Sequence, residues 1–563
     1  MRPQPAHRGG GEPQTGDQPA TRNQEPLIAF LESPESYPHR PTHVHVIQTH
    51  ISWVFIASPF VFKVKKPVNL GFLDFSTLEK RHHFCRREIA LNRRLAPQVY
   101  LEVIPIYKTT SGFSFNPEGE IAEYAVKMKE LSHGFFLNEL LEKNLVGEKE
   151  INRVISALHR FYDAETPTPE IEQWGTPEKL KISTDENFTQ AERFIGKTIS
   201  LPSFETIRHY TDHFYVVNKN LFQERIQQHR ILDCHGDLHL DHVHLTPEAA
   251  TIFDCIEFND RFRFIDIASD LAFLTMDFDF KGRSDLGNLF LRNASRELGD
   301  AGVLEIANFY KCYRAFVRGK VDSIQASEKE TTNSREHERQ AARYFRLALR
   351  YVIAGSEPVV LVVMGPVGTG KSTVAKQLAS ELEWPVFSSD EIRKTLAGVP
   401  LTQRTPSELR TKIYSTQMTR RTYRKLLKAG FTAIGGCSQG RRPRPLQPHN
   451  GVILDATFSR RALRKYLRDE CNKAKVPFQF VELEVDPNEI KKRLKGRDEK
   501  TAEASDARFE DFEKLNAAYE PPSELAPDVI RISTKRSVSD TVKAILLCLA
   551  DRQAVGTDRR AVR

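Results

Sequence analysis

Val359-Val360-Leu361-Val362-Val363-Met364-Gly365-Pro366-Val367-Gly368-Thr369-Gly370-Lys371-Ser372 decides how the second half of this chain folds. The six apolar residues that open it suit a parallel strand buried on both faces. Gly365 through Ser372 fit G-x-x-x-x-G-K-[ST], a loop whose glycines let the backbone wrap phosphates. Over 373–383, Val374, Leu378 and Leu382 recur on one helical face, with Ala375 and Ala379 beside them. Strand, glycine loop and helix, in that order, point the N–H groups of the helix start at an anion. Gly365, Pro366, Val367, Gly368, Thr369, Gly370, Lys371, Ser372 and Thr373 are therefore the candidate nucleotide-binding segment. Lys371 would reach the β- and γ-phosphates of ATP, and the Ser372 hydroxyl would bind Mg²⁺.

Downstream, strand-like and helix-like stretches alternate. Strands are expected at 386–390, 452–455, 478–485 and 529–532, and helices at 408–428, 459–473, 487–495 and 538–550. Alternation of this kind predicts a parallel sheet with helices on both faces. Asp455 ends an apolar strand where a carboxylate can organise Mg²⁺, although a strand-end Asp can also cap the next helix. Asp390 ends another strand, where residues face the substrate crevice of a parallel sheet. It is the candidate base toward an acceptor hydroxyl, with Arg393 as an acceptor ligand; a helix cap with a surface arginine is the plainer alternative. Arg493 and Arg497 stand four apart beside a polar stretch. They suit a lid that neutralises a transferring phosphoryl group, or ordinary surface charge. The Gly-, Arg- and Pro-rich segment 435–451, with Arg441, Arg442 and Arg444, reads as a flexible insertion.

Working back toward the N-terminus, 339–352 is helical and Gly355-Ser356-Glu357-Pro358 marks a domain boundary. Residues 1–25 have the composition of a disordered tail. Strands are expected over 44–56, 60–67, 99–107 and 121–128, with a helix over 77–95. On the 60–67 strand Lys63 and Lys65 project from one face, and Glu88 sits on the helix that follows. Helical patterns fill 134–230. Then His235-Gly236-Asp237-Leu238-His239 is followed, seventeen residues after Asp237, by Asp254 at the end of Ile252-Phe253. A loop Asp, then a second Asp closing an apolar strand, is the layout of kinase-like phosphotransferases. Asp237 would take the proton of the acceptor hydroxyl and Asp254 would hold Mg²⁺. Lys63 or Lys65 would face the phosphates and Glu88 would pair with the lysine. Taken singly, Asp237 could be a loop cap, and His235 or His239 a satisfied structural histidine. Lys311, Arg314 and Arg318 share a helix face that reads first as a solvated basic stripe, with a cleft-facing stripe for an acidic or phosphorylated substrate as the alternative.

These motifs carry a resemblance. His235 to His239, the run 253–260 and the run 265–274 resemble the aminoglycoside phosphotransferase family. The runs 49–55, 62–67 and 309–315 extend the likeness to bacterial two-domain proteins joining such a domain to a P-loop, AAA-type or zeta-toxin-like kinase domain. The resemblance spans about 27–545. It implies a two-lobed kinase-like fold for the first half, with Asp237 as base and Asp254 as metal ligand. The family usually places an Asn that helps hold Mg²⁺ where this chain has His242. Imidazole is a poor Mg²⁺ ligand because Mg²⁺ prefers oxygen; Asp241 beside it offers an oxygen. No G-x-G-x-x-G precedes the lysine strand. The first half is thus a phosphotransferase or a ligand sensor without turnover.

Composition agrees with this reading. A chain of 563 residues is expected to hold more than one domain. Its net charge of +8 suits an anionic ligand such as a nucleotide and does not argue for nucleic acid. The seven cysteines are scattered without a C-x-x-C pair, so neither zinc nor disulfides are expected and a cytoplasmic location is. No apolar run is long enough to span a membrane. The expected organisation is a tail (1–25), a kinase-like domain (26–354), a P-loop domain (355–552) and a C-terminal tail (553–563), that is, α+β followed by α/β. The expected activity is ATP- and Mg²⁺-dependent phosphorylation of a small hydroxylated acceptor. A regulatory ATPase with a sensing first half and a polynucleotide 5′-hydroxyl kinase stay open beside it.

Overall fold

The computed structural model describes residues 24–328, 333–401, 403, 405–435, 451–498, 506 and 508–556. Its contacts divide the chain into two units, Met1–Val146 with His235–Arg263, and Gly147–Cys234 with Phe264–Arg563.

The first unit is built on an antiparallel sheet of β1 (His45–Gln48), β2 (Ser52–Ala57), β3 (Phe60–Lys65), β4 (Tyr100–Thr109), β5 (Gly112–Ser114) and β6 (Glu120–Lys129), in spatial order β1-β2-β3-β6-β4-β5. Alternation on β3 puts Phe62 and Val64 into an apolar cluster with Trp53, Phe55 and Tyr37. The alternate residues Lys63 and Lys65 then face the other side of the sheet. That side is covered by helix α1 (Leu78–Asn92), which packs on β4 and β6. Thr77 caps α1 by accepting from the Lys80 N–H at 3.3 Å. Cys85 and Ile89 on α1 join Tyr100, Val126 and Met128 in a second cluster. The returning segment 235–263 adds a short hairpin, Val243–Leu245 against Ala250–Ile252.

In the second unit, helices α2 (Leu201–Val217), α3 (Gly302–Ser327) and α4 (Ser334–Ala354) lead into β7 (Val359–Met364). The remaining elements form a parallel sheet. Helices α5 (Lys371–Leu382) and α6 (Ser389–Ala397) flank β8 (Val386–Ser388), then come β9 (Gly451–Asp455), β10 (Phe478–Glu484), helix α7 (Pro487–Asp498), β11 (Ile530–Ser533) and helix α8 (Val538–Val555). The spatial order is β8-β9-β7-β10-β11, with every neighbour parallel. All six residues of β7 are buried, as a central strand covered on both faces requires. Helix α2 packs along α8, and α4 packs on α5. Glu381 at the end of α5 accepts from the hydroxyls of Ser200 and Ser203 at the start of α2. The helical first-half segment and the P-loop sheet therefore share one compact unit.

Two expected helical stretches are each divided. The 408–428 stretch forms Ser407–Ile413 and Thr416–Ala433, because the Ser415 hydroxyl accepts from Met418 N–H and starts a new helix. Within the helical stretch 134–230, a break falls at Asn218, whose amide donates to Phe214 O and closes α2. Lys311 is not on a solvated face: its ammonium is fully buried, 2.5 Å from Asp279 and over the Tyr351 ring. Most of the 435–451 segment, including Arg441, Arg442 and Arg444, lies outside the described residues.

Candidate functional site

In the second unit the loop between β7 and α5 is shaped by backbone that only glycine tolerates well. Gly365 has φ +139°, and a Cβ there would meet Leu483 O at 2.5 Å; Gly368 has φ +85°, and a Cβ would meet Ile490 Cγ2 at 2.7 Å. The Thr369 hydroxyl and Lys371 Nζ both donate to Pro366 O, at 2.9 and 2.8 Å. Gly370 ends the loop and precedes α5, whose first residues are Lys371, Ser372 and Thr373. The pairing of β7 with β9 sets Asp455 opposite Val363 at the sheet's C-terminal edge. There Ser372 Oγ donates to Asp455 Oδ2 at 2.6 Å. Burial pushes the Asp455 carboxyl up, and Lys371 and the Ser372 bond partly offset this. A hydroxyl and a carboxylate side by side make an all-oxygen donor pair that fits Mg²⁺.

Asp390 sits half-buried in the first turn of α6, two residues past Ser388, which pairs with Asp455 across β8 and β9. Arg393, one turn on, is buried and donates to Ile413 O at 3.1 Å and to the Thr419 hydroxyl at 3.2 Å, with Tyr414 under its guanidinium. Its Nε has no hydrogen-bond partner among the described residues. Sequence reading missed the neighbours of this corner. Asp506 accepts from Thr405 N–H at 3.0 Å and Tyr414 Oη at 3.1 Å and faces Lys394 at 3.3 Å. No local spacing marks Asp506, which comes from more than a hundred residues downstream of Asp390. Arg493 on α7 lies against the phosphate loop. It donates to Thr534 O at 2.7 Å and Thr534 Oγ1 at 3.0 Å, approaches Thr369 O at 3.5 Å, and pairs with Glu489. Arg497 closes the same helix, and its side chain lies outside the described residues.

In the first unit the structure brings Lys63, Lys65, Glu88 and Asp254 together. Glu88 bridges both lysines, 2.9 Å from Lys63 and 2.6 Å from Lys65. Lys63 also meets Asp254 at 2.7 Å, and Lys65 meets Glu257. Sequence reading did not single out Glu257, although it lies only three residues past Asp254. Burial alone would lower the Lys63 ammonium, but Asp254, Glu88 and Glu257 hold it well above the usual lysine range. Burial would likewise raise Asp254, yet Lys63 and His242 hold it well below the usual carboxylate range. Asp254 has φ +63°, a left-handed conformation held by its N–H donating to Tyr100 Oη at 3.1 Å.

The loop carrying Asp237 is tied to that strand end. His235 bonds Phe253 O through Nε2 at 2.9 Å and accepts the Asp237 N–H on Nδ1 at 3.2 Å. Gly236 has φ +84°, and a Cβ there would lie 2.6 Å from Phe262 O. His242 Nδ1 bonds Asp237 O at 2.9 Å, while its Nε2 stands 3.6 Å from Asp254 Oδ2. Burial, then the neighbouring His239, pull His242 down to about 4, so this imidazole is neutral at pH 7. His239 Nε2 stands 3.6 Å from Asp237 Oδ2, and its Nδ1 accepts the Asp241 N–H. The Asp241 carboxylate accepts from Asn138 at 2.9 Å on the Nδ1 side of His239.

Comparison with known proteins agrees with two dissimilar halves. Residues 360–522 match the family model described as "AAA domain", AAA_33. The "Uncharacterized protein Rv2004c" of Mycobacterium tuberculosis (strain ATCC 25618 / H37Rv) is 30% identical over 468 residues, covering 82% of this chain and 89% of that protein. A gluconokinase of Gluconobacter oxydans (strain 621H) is 28% identical over 150 residues, 26% of this chain and 68% of its own. The solved choline kinase from Cryptosporidium parvum Iowa II is 9% identical, covers 58% of this chain and 94% of its own, and has a TM-score of 0.36. The chain belongs to the family of the mycobacterial protein Rv2004c. It joins a protein-kinase-like lysine–glutamate sheet to a P-loop parallel sheet.

Proposed function

We propose that this chain is an ATP-dependent phosphotransferase whose P-loop half transfers the γ-phosphoryl group to a hydroxyl of a small polyhydroxylated acceptor. The observation that carries the reading is the Ser372–Asp455 contact at the mouth of a glycine loop, with Asp390 in the first turn of the helix that follows the adjoining strand. In this reading the N–H groups of the loop and the α5 start hold the phosphates, and Lys371 swings from Pro366 O to the β- and γ-phosphates. Ser372 and Asp455 would hold Mg²⁺, which screens phosphate charge when bound. Asp390 accepts the acceptor's hydroxyl proton, Arg393 Nε is a donor left for an acceptor oxygen, and Arg493, against the phosphate loop, neutralises the transferring group, with Arg497 kept as the second lid candidate from the sequence. The gluconokinase relative supports sugar acids and sugar alcohols as the acceptor class.

A second reading concerns the first half alone. There Lys63, with Lys65 and Glu88 behind it, faces the phosphates of a second nucleotide, and Asp237 is the candidate base. The imidazole of His242 against Asp254 favours a ligand-sensing role over turnover at that site.

The test is an ADP-release assay over a panel of sugar acids, sugar alcohols and a 5′-hydroxyl oligonucleotide, with phosphorylated product followed by mass spectrometry. Lys371→Ala should abolish acceptor-dependent release, and Asp390→Asn should lower kcat while leaving the affinity for ATP in place. Free phosphate released without any phosphorylated product would replace the proposal by an ATPase, and activity surviving Lys371→Ala would sink it.

A further inference from the structure

The loop 235–242 holds an arrangement that neither half's phosphoryl chemistry explains. Asp237, His239 and His242 each offer one ligand atom, and these atoms lie within 4.8 Å of one another. His239 and His242 expose only 10% and 14% of their side chains. His239 Nε2 stands 3.6 Å from Asp237 Oδ2, and His242 Nε2 stands 3.6 Å from Asp254 Oδ2. At that distance neither contact is a hydrogen bond. Two ligands about 2.1 Å from one tetrahedral cation are about 3.4 Å apart, so the His239–Asp237 spacing suits a shared cation, with His242 within 4.8 Å of both as the third donor.

The far edges of both rings are already engaged. His242 Nδ1 bonds Asp237 O at 2.9 Å, which as an N–H donor leaves the lone pair on Nε2. His239 Nδ1 accepts the Asp241 N–H at 3.3 Å, a tautomer with the ring proton on Nε2, so a cation bound at Nε2 displaces that proton; the Asp241 carboxylate, held by Asn138, stands 3.8 Å from Nδ1. The Asp237 carbonyl thus orients His242 as outer-shell acceptors orient metal-ligating histidines, whereas His239 offers Nε2 once its proton leaves. The two rings are packed with centroids 3.8 Å apart, and one nitrogen of each lies within 4.8 Å of the other's and of an Asp237 carboxylate oxygen.

The donor set also identifies the class of ion. Mg²⁺ demands oxygen ligands in near-octahedral array, and two of these three donors are imidazole nitrogens, so the set does not fit Mg²⁺. Two imidazoles and a carboxylate fit first-row transition metals, Zn²⁺ among them. We propose that Asp237, His239 and His242 form a binding site for a divalent transition-metal ion, with Asp254 as the carboxylate beside it. A cation there takes up Asp237 Oδ2, so Asp237 acts as a ligand and not as a base while metal is bound. The proposal does not rest on phosphoryl transfer by the P-loop half.

The test uses the untagged full chain, stripped with chelator and then titrated with Zn²⁺ or Co²⁺ in a large excess of Mg²⁺. Bound Zn²⁺ is counted by equilibrium dialysis, and Co²⁺ is followed by its visible ligand-field bands. Wild type should retain one Zn²⁺ at this site and give Co²⁺ bands of a nitrogen–oxygen site. His242→Asn and His239→Gln should each weaken Zn²⁺ by at least about 100-fold, since loss of an outer-shell partner alone costs 10–100-fold. Ser372→Ala, in the other half, should leave the site's Zn²⁺ in place. The proposal is overturned if wild type gives no Co²⁺ bands, if Mg²⁺ displaces Zn²⁺ at comparable concentration, or if both histidine variants keep wild-type affinity. The wild-type spectrum decides the matter independently should a variant fail to fold.

Discussion

Glu88→Gln probes the charge network of the first half with little change in volume, so cavity terms drop out. In the native protein each carboxylate oxygen faces a different lysine, Lys63 at 2.9 Å and Lys65 at 2.6 Å. Neither Glu88 nor Lys65 has exposed side-chain area, so solvent does not screen that pair. Removing one partner of a buried ion pair costs about 3–5 kcal/mol. The lower end applies here, because Lys63 keeps Asp254 and Lys65 keeps Glu257. A loss of about 3 kcal/mol corresponds to a transition about 6–12 °C lower for a unit of this size. Differential scanning calorimetry at neutral pH measures the shift, and denaturant titrations at several pH values measure its dependence. Burial would raise the Glu88 carboxyl, but Lys63 and Lys65 hold it below its ordinary value. A depressed acid contributes stability that is complete above its unfolded pKa and is lost as pH falls through the folded one. The gap between wild type and Glu88→Gln should therefore be constant above about pH 5 and close only below about pH 4. Glu257 supplies the contrast, since burial pushes its carboxyl up despite Lys65. Its ionisation opposes folding as pH rises through the window above the ordinary glutamate value, so Glu257→Gln should cost less than Glu88→Gln. A Glu88→Gln loss below about 1 kcal/mol, or a larger loss for Glu257→Gln, would refute the reasoning.

Three further outcomes follow from the second half. Gly368→Ala puts a Cβ 2.7 Å from Ile490 Cγ2 at φ +85°; ATP affinity measured by isothermal titration calorimetry should fall at least about tenfold, as about 1–2 kcal/mol of backbone strain alone implies. Asp455→Asn removes the carboxylate beside Ser372; turnover should fall about 10²–10³-fold, with a higher Mg²⁺ concentration needed for half-maximal rate, read from Mg²⁺ titrations of ADP release. Glu381→Gln weakens the bonds from Ser200 and Ser203 that fasten α5 to α2. Because hydrogen bonds to charged groups contribute about 1.5–3 kcal/mol each, thermal melts should shift downward, with ATP affinity unchanged.

The parts of the molecule legible in the sequence are those whose physics is local. The phosphate loop could be read because the six-residue apolar strand, the glycines and the helix start are contiguous, and the structure places β7 at Val359–Met364. Alternation on β3 likewise put Lys63 and Lys65 on one face, and both reach Glu88. What escaped is what depends on distant partners. Lys311 looked like surface charge because nothing nearby in sequence announces Asp279 or Tyr351, which bury it. Asp506 reaches the Asp390 corner only through the tertiary fold. His239, taken singly, is an ordinary buried histidine. Its place beside His242 and Asp237 follows from the single short turn at 240–242, which stacks the two rings.

The two halves differ in a way that divides the labour between them. Tight phosphate grip needs backbone N–H groups that can approach the anion, and hence residues without a Cβ in the way. In the second half Gly365, Gly368 and Gly370 all have positive φ, and the hydroxyl and carboxylate beside them are oxygen donors. In the first half, the turn joining β2 to β3, just before the lysine strand, is Ser58-Pro59, flanked by the paired Ala57 and Phe60. Proline has no N–H to offer, and serine lacks glycine's conformational range. Lys63 there is already neutralised by Asp254 and Glu88, so an incoming phosphate must compete with two carboxylates for its ammonium. At the Asp254 strand end the neighbouring donors include the His242 imidazole, whose Nε2 stands 3.6 Å from Asp254 Oδ2. Loop chemistry and donor set are the two grounds on which phosphoryl transfer is proposed for the second half. The neutralised Lys63 and the imidazole beside Asp254 are the corresponding grounds for the ligand-sensing role proposed for the first half.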